Sequence, residues 1–179
     1  VLAVGLMVSI VYISMAHRSF FFQDDFRTLY NAIYTKHDAS DSAPDDFFRP
    51  VSRGLYFGLC YKLFGLEPFG YYLVNIAAHL LSALCLFLLL RRLQVLPKIS
   101  ALTALLFFIN KTGFEKVYWI SNFQHTSYHL FLILAALLAL NALEHTGAKR
   151  ICQLALSNTM WVLALLSNNG AVIFPFVLV

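Results

Sequence analysis

This chain contains few charged residues. Only 12% of its 179 residues are charged and 60% are hydrophobic, whereas soluble domains average roughly 25% charged and about 45–50% apolar residues. The mean hydropathy is +0.71. This balance argues against a soluble globular domain and indicates an integral membrane protein.

The chain also has few cysteines and no metal-binding pattern. Cys60, Cys85 and Cys152 are scattered, without a CxxC pair or a His/Cys ligand spacing, so neither a disulfide framework nor a zinc site is predicted. His125 and His129 are four residues apart but lack a carboxylate partner on their own helix. We therefore assign no metal ligand and no cofactor, and leave open whether a divalent ion is needed.

The net charge of +4 and the pI near 9.0 do not call for a nucleic-acid partner, because basic residues that flank membrane helices produce the same values. Five such residues fall on one side of the predicted spans and two on the other, which places the five in the cytoplasm and the acidic loop outside. The membrane is expected to be the plasma (inner) membrane in a prokaryote and the endoplasmic reticulum in a eukaryote. The five are Arg91, Arg92, Lys98, Lys149 and Arg150, and the two are Lys111 and Lys116.

Apolar runs predict an all-α polytopic bundle, because about 20 helical apolar residues cross ~30 Å of hydrocarbon. The first run lacks a basic leader and a small-residue cleavage site, which favours a trimmed membrane helix over a signal peptide. We expect the chain to be the N-terminal part of one transmembrane domain whose C-terminal part is missing. The predicted spans are 1–16, 70–90, 100–113, 126–143, 153–167 and 171–179 onward, with an outer loop at 17–69.

The interval Phe20–Pro50 contains six of the nine acidic residues. Within it, apolar residues recur at i, i+3, i+4, i+7 and i+8, which predicts an amphipathic helix on the membrane surface. Residues 51–66 predict a second interfacial helix. The apolar positions of the first are Phe26, Leu29, Tyr30, Ile33 and Tyr34.

Asp24 and Asp25 stand directly before this first surface helix. A carboxylate there can take a proton from an acceptor hydroxyl as a general base. It can also cap the free N–H groups of the helix and meet the positive end of its dipole. Because there are two carboxylates and a cap needs one, the sequence allows both roles.

The segments QDDF, FRPVS, YKLFGLEPFGYYLVN, EKVYWISNFQ and LALLSNNG, in this order, resemble the N-terminal half of GT-C superfamily glycosyltransferases. The similarity is greatest to the protein O-mannosyltransferase-like group that includes the transmembrane-and-TPR O-mannosyltransferases, and it covers nearly the whole chain. The resemblance implies a GT-C-like helical bundle and a polyprenyl-phosphate-linked sugar as donor. It further implies inverting transfer of that sugar to a protein or lipid acceptor on the extracytoplasmic side.

The resemblance also assigns residues. Asp24 corresponds best to the catalytic aspartate, with Asp25 as a capping or acceptor-orienting partner. Arg49 and Arg53 lie in the same outer loop, and the arginine fork suits the two oxygens of a donor phosphate. Contact with lipid headgroups is the alternative for both arginines.

Four further residues are candidates for lining the substrate site. Asn75 and His79 share one face of the second span, where interhelical hydrogen bonding is the alternative role. Trp119 is similar to an aromatic residue of the family site and is equally explained by an aromatic belt. Gln124 follows it in the same loop.

One departure from the family supports a second hypothesis. Many relatives have Ser-Lys-Glu where this chain has Ser167, Asn168 and Asn169, so two charged groups are replaced by neutral amides. A catalytically inactive accessory or structural subunit of a membrane complex, with other membrane subunits as partners, is therefore the alternative to an enzyme. A transporter is less favoured, because its ionisable groups would be expected at mid-membrane.

Overall fold

The computed structural model describes residues 2–34, 49–110, 115 and 117–174. Within these ranges the chain is helical and contains no strand, which confirms the all-α prediction. Three turns of other helical types also occur, a π-helix at Pro50–Leu55 and 3-10 turns at Ile120–Asn122 and Asn169–Ile173. The α-helices of the described residues are α1 (Leu2–Ala16), α2 (Asp24–Tyr34), α3 (Tyr56–Phe64), α4 (Pro68–Arg92), α5 (Pro97–Ile109), α6 (Phe123–Leu143) and α7 (Gly147–Ser167).

Helices α4, α5, α6 and α7 begin ahead of the apolar runs that predicted them. Pro68 and Pro97 occupy the first turns of α4 and α5, where the missing N–H costs nothing and the fixed φ suits a helix. Helix α5 ends at Ile109, and residues 111–113 of its predicted span lie outside the described residues. The same holds for residues 175–179 of the last predicted span.

Helix α4 is the centre of the bundle and packs against α1, α5 and α6, while α6 packs along α7. Near its start, the Asn75 amide donates to the Val117 carbonyl ahead of α6. Near its end, Arg92 forms an ion pair with Glu144 just after α6. Helices α4 and α6 therefore run in the same direction. We call the end with Val117 the Asp25 end, and the end with Arg92 the basic end.

Two helical stretches, α4 and residues 120–143, are long and apolar enough to cross a membrane. Their most apolar stretches are only 33% and 28% buried, so most of their surface faces outward. Helices α1 and α5 are apolar but shorter, and α7 has the length without the same hydropathy. That α4, residues 120–143 or any other helix crosses a membrane stays a prediction.

Tyrosine hydroxyls join the connections at the Asp25 end. Each donates to a backbone carbonyl of another segment, so the hydroxyls cross-link the segments that meet there. The rings themselves are buried or half-buried. The pairs are Tyr12 to Phe108, Tyr56 to Tyr71, Tyr71 to Gly65, Tyr72 to Phe20 and Tyr118 to Tyr12, at 2.8–3.1 Å.

The apolar face that the sequence predicted for α2 is only partly buried. Leu29 is 5% exposed and faces inward together with Asp25 and Thr28, because α2 packs against α3. Phe26 and Tyr30 are each 60% exposed. Contact of these outer rings with the membrane surface stays a prediction.

Candidate functional site

The Asp25 carboxylate is the most constrained group at this end of the bundle. Its Oδ2 accepts the backbone N–H of Phe22 at 3.0 Å, and its Oδ1 accepts that of Ser121 at 2.7 Å. The residue has no exposed surface. Asp25 thus reaches back three residues, as in a capping box. It also meets the start of the helical stretch 120–143, where N–H groups have no intrahelical partner.

Two opposing effects act on the Asp25 carboxyl. Burial raises its pKa, and the nearby Asp24 charge adds slightly to the rise, while hydrogen bonds from Ser121 and Phe22 lower it. Burial dominates, so the pKa lies above its usual range. Burial also raises the pKa of Tyr56 on α3 well above its ordinary value, with smaller contributions from Cys60 and then Asp25.

Asp24 is exposed, whereas its neighbour Asp25 is buried. Asp24 opens α2. The preceding Gln23 has a φ of +43°, so the chain turns sharply just before the helix. The structure therefore separates the pair into a buried anchor, Asp25, and a solvent-accessible carboxylate, Asp24.

Arg49 binds the start of α6, close in sequence to the Ser121 that binds Asp25. Its Nη1 donates to Gln124 Oε1 at 2.6 Å, which joins the residue before the π-helix Pro50–Leu55 to the first turn of α6. One turn further, Ser52 is fully buried and its hydroxyl donates to the Ser167 carbonyl at the end of α7. Arg53 is half-buried on the same π-helix.

The segment Trp119–His125 connects the two halves of the site. Ser121 binds Asp25 and Gln124 binds Arg49, only three positions apart. Between them, the Phe123 ring stacks on Tyr56 with centroids 3.8 Å apart. The Trp119 ring meets Phe22 edge-on at 6.4 Å. One continuous stretch of chain, which contains Trp119 and Gln124, therefore binds both Asp25 and Arg49.

Asn75 and His79 lie deeper and are almost fully buried. Asn75 donates to Val117, and His79 Nε2 lies 3.1 Å from the Phe108 carbonyl, with its ring stacked on Phe108 at 5.3 Å. Both therefore make the interhelical contacts that the sequence left as their alternative role. Lining of a substrate site by either residue stays a prediction.

Sequence reasoning missed several members of this site. Phe22 and Ser121 act through backbone N–H groups, for which a sequence carries no signal. The sequence draws attention to His125 only through its metal-ligand spacing with His129, yet the His125 ring lies between the Gln124 and Asn168 side chains. In the described part of the chain, no three His, Cys, Asp or Glu side chains are grouped to hold a metal ion.

Compared with known proteins, the chain matches no family model, no curated protein and no solved structure. The resemblance to GT-C glycosyltransferases stays a prediction from the sequence.

Proposed function

We propose that this protein is an inverting glycosyltransferase of the GT-C type, built as a multi-pass membrane bundle. It moves a sugar from a polyprenyl-phosphate-linked donor to a protein or lipid acceptor. The Asp25 end, with the acidic loop, faces the extracytoplasmic side. The basic end, with Arg91, Arg92, Lys98, Lys149 and Arg150, faces the cytoplasm.

The observation that carries the proposal is the separation of the two aspartates. Asp25 is buried and accepts two backbone N–H groups, which fixes the start of α2 and leaves Asp24 exposed beside it. A general base must be held in place and still reach its substrate. Asp24 meets both requirements, and Asp25 acts as its positioning residue.

Charge develops on the phosphate leaving group as the acceptor hydroxyl attacks the sugar carbon. A fixed cation stabilises that charge without reorganising during the reaction. Arg49 is held by Gln124 on the segment that also binds Asp25. In the proposed mechanism, Asp24 takes the acceptor proton and Arg49, assisted by Arg53, holds the departing phosphate.

The test is sugar transfer in membranes that contain the protein, offered a panel of polyprenyl-phosphate sugars and a mixed pool of protein and lipid acceptors. The proposal expects transfer of one sugar in the panel above the level of membranes without the protein. Absence of transfer for every donor, with the protein folded and inserted, would overturn it.

A catalytically inactive accessory subunit is the second candidate, and Asn168 favours it. Its side chain accepts the Gly170 N–H at 2.9 Å and so serves the turn after α7, a structural task that needs no charge. This alternative predicts that the protein co-purifies in fixed ratio with a larger membrane assembly and binds no polyprenyl-phosphate sugar.

A further inference from the structure

Four polar side chains form a cluster at the Asp25 end. They come from three elements, the residue before the π-helix, the first turn of α6 and the residue after α7. All four are half-buried, and no carboxylate is among them. They are Arg49, Gln124, His125 and Asn168.

Fixed donors determine how the two amides in this cluster are oriented. Gln124 Oε1 accepts from the Arg49 guanidinium at 2.6 Å, so its NH₂ group faces His125 Nε2 at 3.4 Å. Asn168 Oδ1 accepts the Gly170 N–H at 2.9 Å, so its NH₂ group faces His125 Nδ1 at 3.5 Å. Neither amide can be flipped without losing its first bond, because guanidinium and backbone N–H groups only donate.

The imidazole of His125 cannot satisfy both amides. A neutral ring has one N–H and one lone pair, and a protonated ring has no lone pair. One of the two contacts therefore sets an N–H against an NH₂ group in either tautomer, and both contacts are long for hydrogen bonds. The Arg49 Nε–H is also buried and has no partner among the described residues. The cluster thus holds more donors than acceptors.

A ligand that supplies several acceptor oxygens and a negative charge would balance this excess. We infer that Arg49, Gln124, His125 and Asn168 form a binding site for a phosphate group, with His125 and Asn168 donating to its oxygens beside the Arg49 guanidinium. Charge-assisted hydrogen bonds of this kind are stronger than neutral ones. The inference rests on the proposed function for the source of the phosphate, the polyprenyl-linked donor, and it adds His125 and Asn168 to the site.

Asn168→Asp gives the sharpest test, because it changes a donor into an acceptor at constant shape. The full chain in detergent is titrated calorimetrically with inorganic phosphate and, separately, with a polyprenyl monophosphate. The inference expects binding to the wild type and an affinity weaker by about tenfold or more in the variant. It also expects the melting temperature without ligand not to fall, because the new carboxylate accepts from both Gly170 and His125.

His125→Phe is the second variant, with His145→Phe as its matched control beyond the other end of α6. It keeps a ring and removes both nitrogens, so phosphate binding should weaken about tenfold while the control binds as the wild type does. Binding of polyprenyl monophosphate alone identifies the lipid carrier as the ligand, whereas binding of both probes identifies the phosphate group itself.

Wild-type affinity in both Asn168→Asp and His125→Phe, or no binding of either probe to the wild type, would overturn the inference. Binding is measured without any transfer. A chain that binds phosphate through His125 but moves no sugar would therefore refute the proposed function and leave this site standing.

Discussion

The Asp25 carboxylate accepts the backbone N–H of Ser121 at 2.7 Å across 96 positions of the sequence. This contact joins the start of α2 to the start of the helical stretch 120–143 and so links the two connections at the Asp25 end. It also explains how two adjacent aspartates have different surroundings, one buried and one exposed.

Replacing Asp25 by alanine should destabilise the fold. Two backbone N–H groups lose their acceptor, and each unsatisfied donor costs about 1–3 kcal/mol. We expect the free energy of unfolding to fall by at least about 2 kcal/mol, measured by denaturant unfolding in detergent. Asp24→Ala is the matched control and should cost below about 1 kcal/mol, since only an exposed helix-end charge is lost. Equal losses in the two variants would contradict the account.

The stabilising effect of Asp25 should depend on pH. Burial raises the pKa of Asp25 above the ordinary value of 3.8, so the folded protein holds this proton more tightly than the unfolded chain. The stabilisation that comes from this more tightly held proton is fully present below the pKa of Asp25 in the unfolded chain. It is lost as the pH rises through the pKa of Asp25 in the folded protein. The gap in unfolding free energy between the wild type and Asp25→Ala should therefore shrink as the pH is raised from about 4. A gap that grows over this range would mean that the pKa is lowered instead.

Two side chains share the Phe108 carbonyl at the end of α5. The Tyr12 hydroxyl and His79 Nε2 each lie 3.1 Å from it. Tyr12→Phe and His79→Phe should each cost about 1 kcal/mol, because the remaining partner still binds the oxygen. The double variant should cost about 1 kcal/mol more than the sum, since both partners are then lost. Simple additivity in a double-mutant cycle would show that the carbonyl does not couple them.

Two glycines should respond in opposite directions to alanine. A Cβ at Gly70 would lie 2.2 Å from Cγ of Phe64, where the ring is fixed between α3 and α4. We expect Gly70→Ala to destabilise by about 1–3 kcal/mol through overpacking. Gly58 on α3 has open space at the same atom, so Gly58→Ala should stabilise by about 0.5–1 kcal/mol through helix propensity. Thermal melting of both variants checks the pair, and a neutral Gly70→Ala would show that α3 shifts freely on α4.

The sequence predicted the helices because apolar runs and the 3.6-residue period determine them locally. Helices α4 and α5 begin slightly earlier than predicted, at Pro68 and Pro97. Only part of the apolar face predicted for α2 is buried, because Leu29 packs inward. The contacts of the site were less predictable. Asp25 binds backbone N–H groups of Phe22 and Ser121, which every residue except proline possesses, so no side-chain pattern identifies them. The His125 contact with Asn168 depends on how α6 and α7 meet, and this is set by packing along their whole length.

The measurement that tests the central claim most directly is the initial rate of sugar transfer by Asp24→Asn, compared with the wild type at equal amounts of folded protein. Glu67→Gln serves as the control, because Glu67 is an exposed acid in the connection between α3 and α4. Loss of a general base predicts a rate lower by about 10²-fold or more, with the control unchanged. A folded Asp24→Asn protein that transfers sugar at the wild-type rate would contradict the account.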